Sequence, residues 1–224
     1  IDRETTILGT ERIDIADATG RVLAENIVAD TDLPPFDRSQ MDGYAVKADD
    51  TKNAPVKLQI VGESAAGRGW HKTLISGEAV RIMTGAPVPK GADAVQKIEL
   101  SSEVDGFVTL TEPTSKGRFI IEKGDEVRKG RVVLKQGSMI DPGNISLPAA
   151  FGYAKLKVSK RPRVAIVSTG SEIVEINKKP KQDQIRNSNS LMLTALCRRA
   201  GADPTGFPIV GDDISDLGSQ IAKA

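Results

Sequence analysis

The chain has 224 residues, enough for two small domains or for one domain with an insertion. Its 31 basic and 30 acidic residues leave a net charge of +1, a balance that carries no electrostatic footprint for nucleic acid. A hydrophobic share of 39% supports a core, yet with 4% aromatic residues that core must rest on Val, Ile, Leu and Ala. No apolar run approaches the roughly 20 residues of a membrane span, and nothing resembles a signal peptide. The single cysteine, Cys197, excludes an internal disulfide and fits a reducing, cytoplasmic setting.

Glu11–Ile15 alternates like a short strand, and a turn at Gly20 leads into a second extended piece ending at Ile27. The stretch from Leu33 to Ala45 is too irregular for a helix or a strand. Pro34-Pro35 fixes two φ angles, and Asp42-Gly43 is a turn dipeptide whose glycine tolerates φ > 0. This loop is either a surface linker closed by a β-turn or a stiff holder for the Asp42 carboxylate, with the Ser39 hydroxyl nearby. From Tyr44 the texture becomes β: 56–61, 79–83 and 92–96 read as strands, and Asp105-Gly106 between 103–104 and 107–108 predicts a hairpin. Short strands at this spacing predict a small barrel or sandwich over 44–122.

Arg131–Leu134 is again strand-like, and Asp141-Pro142 predicts a helix start. Pro148 should interrupt that helix and Gly152 should end it; 154–158 then alternates as a strand. After Pro162 the grammar changes. Val164–Val167 is continuously apolar, as in a parallel strand covered on both faces, and Ser168–Glu172 is the loop at its carboxyl end. A helix follows, apolar through Leu191–Cys197, with Ser188 or Asn189 as cap and Gly201 as stop. Phe207–Val210 reads as a second strand, and Asp212-Asp213 opens a helix over 214–222. This β–loop–α–β–α order predicts the start of an open α/β domain. Two parallel strands cannot bury both faces, and the chain opens on Ile1. It therefore reads as a piece of a longer protein, incomplete at both ends.

Several polar groups are suited to chemistry. Ser168, Thr169, Gly170 and Glu172 lie where ligands bind in open α/β sheets; they form either an ordinary loop or a receiver for phosphate, ribose or metal. Gln184–Asn189, including Asn187 and Ser188, either caps a helix or favours an anion there. Met83–Pro89 is a rigid turn with one hydroxyl, on Thr84. Asp125-Glu126 is either solvated or half of a divalent-cation site. One histidine, His71, and one cysteine leave little room for zinc or a Cys–His dyad, so a metal here would be a hard cation on oxygens.

Taken together, four stretches resemble one family, the molybdopterin molybdenumtransferases, which include the gephyrin E domain. They are Pro34–Ala45, Arg81–Pro89 with Gly91–Val95, Val167–Glu172, and Ile185–Asn189. The likeness runs in order over essentially the whole chain. It implies an α/β and β multi-domain subunit. Residues 1–31 and 127–161 would form a discontinuous elongated domain, 32–126 an inserted β-rich, barrel-like domain, and 162–224 the first part of an α/β molybdopterin-binding domain.

The resemblance further implies insertion of molybdenum from molybdate into adenylylated molybdopterin with release of AMP, in a cytoplasmic homodimer whose active site is shared between subunits. Asp42 and Thr84 would be catalytic. Ser39, Ser168, Thr169, Gly170, Glu172, Asn187 and Ser188 would bind the pterin nucleotide. Asp42, Asp125 and Glu126 would hold Mg²⁺. Glu126 stands where the family commonly carries Asp, and so does Asn187. The molybdopterin adenylyltransferase would be a partner, and the isolated chain would be inactive. The alternative is a dimeric scaffold of gephyrin type without catalysis.

Overall fold

The computed structural model describes Thr6 and residues 8–223. Its strands in chain order are β1 (Thr10–Asp14), β2 (Ile27–Val28), β3 (Arg38–Ser39), β4 (Gly43–Val46), β5 (Val56–Ser64), β6 (Glu78–Ile82), β7 (Ala94–Lys97) and β8 (Ser101–Val104). Then come β9 (Phe107–Leu110), β10 (Ile120–Ile121), β11 (Val132–Leu134), β12 (Lys155–Ser159), β13 (Arg163–Ile166), β14 (Ile173–Val174), β15 (Ile185–Arg186) and β16 (Asp203–Gly206). The helices are α1 (Ser146–Ala150), α2 (Asn189–Arg199) and α3 (Ile214–Lys223). The chain is mixed α/β and divides into two compact units, Ile27–Val133 and the pair Ile1–Asn26 with Leu134–Ala224.

The 27–133 unit is built on a six-stranded sheet in the order β7-β4-β6-β5-β9-β8. The order is linear, so the sheet keeps two edges and does not close into a barrel. Strand β4 lies between β6 and β7, antiparallel to both, whereas β5 and β6 are parallel. The period-2 alternation sends Tyr44 and Val46 to a core with Leu58, Val108 and Leu110. Ala45 goes to the other face, with Val80, Ile82 and Val95. With both faces buried, four consecutive residues of β4 are buried. The predicted hairpin is present: Asp105 (φ 51°) and Gly106 (φ 76°) join β8 to β9, the two left-handed residues of a tight hairpin turn.

Two expectations for the Leu33–Ala45 loop change. It is not wholly irregular, because β3 pairs there with β10. Gly43 also does not serve a positive φ; it is the first residue of β4 and keeps φ outside the left-handed region. Its role is close approach. A Cβ there would stand 2.9 Å from the Gln96 carbonyl carbon and closer still to its oxygen. A second bare backbone position, Gly62, lies at the register shift between β5 and β6, where a Cβ would collide with the Trp70 indole.

In the other unit, β1 and β12 form an antiparallel ladder from Thr10↔Ser159 to Asp14↔Lys155, and Leu23, Ile140, Leu156 and Val158 are buried. The helix expected from Asp141 starts later. The Asp141 carboxylate instead accepts the N–H groups of Gly143 and Asn144, closing a turn. Pro148 does not interrupt α1, because it falls in the first turn, where a missing N–H removes no intrahelical bond.

Strand β13 pairs in parallel with β16, which is Asp203–Gly206, not the apolar Phe207–Val210 expected. The chain leaves α2 at Gly201 (φ 85°) and enters the ladder almost at once, so connection length overrides hydrophobicity. Residues 207–210 run on beside the Ser168 loop, with the Val210 N–H on the Ser168 carbonyl and the Gly170 N–H on that of Val210. Along β13, within the described residues, Ile166 is buried and Ala165 exposed. No helix among the described residues is long and apolar enough to cross a membrane.

Gly43→Ala is expected to destabilise the protein by about 2 kcal/mol or more, because the obstacle is backbone that cannot rotate away; urea unfolding measures this. Burial, with a hydrogen bond to Glu103, raises the Tyr44 phenol from an ordinary value to about 12. A raised folded-state pKa gives stability that is fully present below about pH 10 and is lost as pH climbs towards about 12. Phenolate absorbance should therefore show one tyrosine titrating in that upper range.

Candidate functional site

Asp42 sits immediately before β4 and Thr84 immediately after the Met83 that follows β6, its antiparallel neighbour, so the sheet brings the two together. The Thr84 N–H and hydroxyl both donate to Asp42 Oδ1 at 2.7 Å. Those donors, the backbone N–H foremost, hold the Asp42 carboxyl below its ordinary value despite some desolvation. Both residues are exposed, and Oδ2 is not used by Thr84. The supporting turn is fixed from the same side. Ser39 N–H donates to Ala86 O and Gly85 N–H to Ser39 O, with Gly85 at φ 80°. Ser39 is buried, and its hydroxyl donates to Met41 O at 2.6 Å. It therefore shapes the loop behind Asp42.

Of the three acids expected to share a cation, two are engaged elsewhere, Asp42 by Thr84 and Glu126 by Arg38. Glu126 accepts from Arg38 at 2.8 Å, a partner the sequence did not suggest. The register announces it once β3 and β10 are paired, Arg38 lying opposite Ile121. Asp125 is exposed, with its N–H on Glu122 O. Among the described residues no three His, Cys, Asp or Glu side chains converge on a metal position. Asp42, Asp125 and Glu126 therefore do not form a three-carboxylate magnesium cage.

The other unit carries a hydroxyl-lined cavity of about 240 Å³ at the carboxyl end of β13, bordered by Ser168, Thr169, Asn187, Ser188 and Leu193. Parallel pairing of β14 with β15 brings the two halves of this wall together. Ser188 stands at the N-cap of α2, as expected, but its side chain makes no capping bond; Asn187, one residue earlier, accepts the Ser190 N–H at 3.2 Å instead. The same carboxamide oxygen accepts the Ser168 hydroxyl, which also meets the Ser190 hydroxyl at 2.5 Å. Ser190 was missed in the sequence; its signal was its place three residues beyond Asn187 at the opening of a helix. Gly170 (φ 139°) and Glu172 do not border this cavity: the Glu172 carboxylate lies over Gly170, where a Cβ would stand 2.6 Å from it. The adjacent Ser171 hydroxyl donates instead to Asp212.

The hydroxyls and the amide around the Ser168 cavity are neutral hydrogen-bonding groups of the kind that hold a polar small molecule. Residues 1–152 match the family described as "MoeA N-terminal region (domain I and II)", and residues 165–224 match "Probable molybdopterin binding domain". The chain belongs to the MoeA family. It is 39% identical to a molybdopterin molybdenumtransferase of Staphylococcus aureus, covering 90% of this chain and 49% of that protein. It is 38% identical to the one of Bacillus subtilis, covering 96% and 52%. The crystal structure of the molybdopterin biosynthesis MoeA protein from Pyrococcus horikoshii OT3 matches with a TM-score of 0.92 at 34% identity, over 100% of this chain and 60% of that one. The chain thus spans about half the length of the curated relatives it matches.

Because the Thr84 N–H outweighs its hydroxyl at Asp42, Thr84→Val should raise the Asp42 pKa only part of the way back to its ordinary value. A depressed carboxyl gives stability that is present above the unfolded-state value and lost as pH falls through the folded one. Wild type should therefore hold Asp42 ionised to lower pH than Thr84→Val in a carbon-detected carboxyl titration. Identical midpoints would remove the hydroxyl from the account.

Proposed function

We propose that this chain is the first part of a molybdenum insertase, transferring molybdenum from molybdate into adenylylated molybdopterin with release of AMP. The observation that carries the reading is the double donation from Thr84 to Asp42, which joins two of the family's motifs at one oxygen. With its pKa lowered, Asp42 is an acceptor near neutral pH and not a proton donor. It would align a water whose oxygen attacks phosphorus as the bridging phosphorus–oxygen bond breaks and AMP leaves. The pterin's sulfurs then displace an oxo oxygen of molybdate, which departs as water with the thiol protons. Thr84 keeps the carboxylate ionised and oriented.

Ser168, Asn187 and Ser188, with Thr169, would receive the pterin nucleotide through hydroxyl and amide groups, and Glu172 with Gly170 would border it. No magnesium ligand is assigned, since among the described residues no three acids converge on one position. We assign 1–31 with 127–161, 32–126, and 162–224 to separate domains. The working form we propose is a cytoplasmic homodimer with a shared site, supplied by the adenylyltransferase that makes the substrate.

In a protein extended to the relatives' length, Asp42→Asn should lower molybdate-dependent AMP release by about 10²-fold or more while adenylylated molybdopterin still binds by calorimetry. Full turnover by this variant would overturn the role of Asp42.

A further inference from the structure

Outside these groups the 1–26 and 134–224 unit holds a cavity of about 260 Å³ where the chain passes from β12 to β13. Arg21, Lys160, Arg161, Arg198 and Arg199 all border it, and no Asp or Glu does. Only Arg21 is neutralised: buried, it pairs with Glu11 and donates to Ser159 O at 2.8 Å. Among the described residues, Lys160, Arg161, Arg198 and Arg199 make no ion pair. Four unpaired cations around one small space repel one another, and an anion seated among them relieves that repulsion.

The walls suit an anion in other respects. Gly20 and Gly201 present bare backbone to the cavity, and a Cβ at either would meet nothing within 4 Å. The end of α2 is also closed off, because the carbonyls of Leu196, Cys197 and Arg198 already accept the N–H groups of Ala200, Ala202 and Gly201. The partial negative charge of a helix end is thus blunted where an anion would sit. Guanidinium forks from Arg161, Arg198 and Arg199 match phosphate oxygens two at a time.

We propose that this cavity is a binding site for a multiply charged phosphate anion, separate from the Asp42 and Ser168 groups. The space admits a pyrophosphate or the phosphate end of a nucleotide. The chain itself, titrated by calorimetry with inorganic pyrophosphate and separately with AMP, tells free phosphate from nucleotide phosphate.

Pyrophosphate should bind one per chain with Kd below about 1 mM, weakening as salt rises. The amide resonances of Gly20 and Gly201 should shift on binding. Arg161→Ala and Arg198→Ala, both at exposed positions, should each weaken binding on the order of tenfold, about 1.4 kcal/mol. Lys179→Ala, an equal loss of charge elsewhere, should leave it unchanged. Tighter binding of AMP than of pyrophosphate would assign the site to a nucleotide phosphate, the reverse to a free one. Absence of binding for both at about 5 mM, or binding insensitive to the two arginine variants, would overturn the proposal. The outcome is independent of the Asp42→Asn result.

Discussion

The contact of bare backbone at Gly43 with the Gln96 carbonyl is the constraint on which the 27–133 unit depends. Without a side chain there, β4 can lie between β6 and β7 and make ladders to both. That central place buries Tyr44, Ala45 and Val46 on alternate faces, so each face acquires its own apolar cluster. It also fixes where β4 begins. Asp42, one residue earlier, is therefore set by the sheet, and the polar chemistry of the unit is a by-product of how closely two strands approach.

Where one physical signal dominated, the sequence was legible. The Asp105-Gly106 hairpin, the strands over 56–61 and 79–83, and both long helices come from local turn chemistry and periodicity, and the structure carries them. The sequence was less legible where distant parts compete. Phe207–Val210 is the better strand by composition, yet Asp203–Gly206 occupies the ladder because the short exit from α2 delivers it there. Pro148 is a breaker only for a helix that begins at Asp141; in α1, which begins at Ser146, it falls in the first turn. Gly43 has neighbours in sequence that predict a turn, whereas its neighbour in space, Gln96, cannot be read from one dimension.

The same distinction separates the site residues. Asp42 and Thr84, or Ser168 and Asn187, are recognisable as motif members, and the structure adds which atom of each meets which. The Glu126 pairing with Arg38 and the role of Ser190 appear only after strand register and helix phase are known. A carboxylate already paired with a guanidinium is a different chemical object from a free one, although both are written Glu. Charge in this chain is consequently better read by partner than by count: acids meet arginines and amides in one unit, and several cations in the other meet no acid at all.

Trp70 has a consequence of a practical kind. It is the chain's one tryptophan, and its indole rests on the bare backbone of Gly62 at the register shift between two parallel strands. Intrinsic fluorescence of this protein is therefore a local observable of the 27–133 unit, while far-ultraviolet dichroism weighs the helices of the other. The molecule carries an optical label on one of its two halves, seated where the pairing of β5 with β6 shifts register.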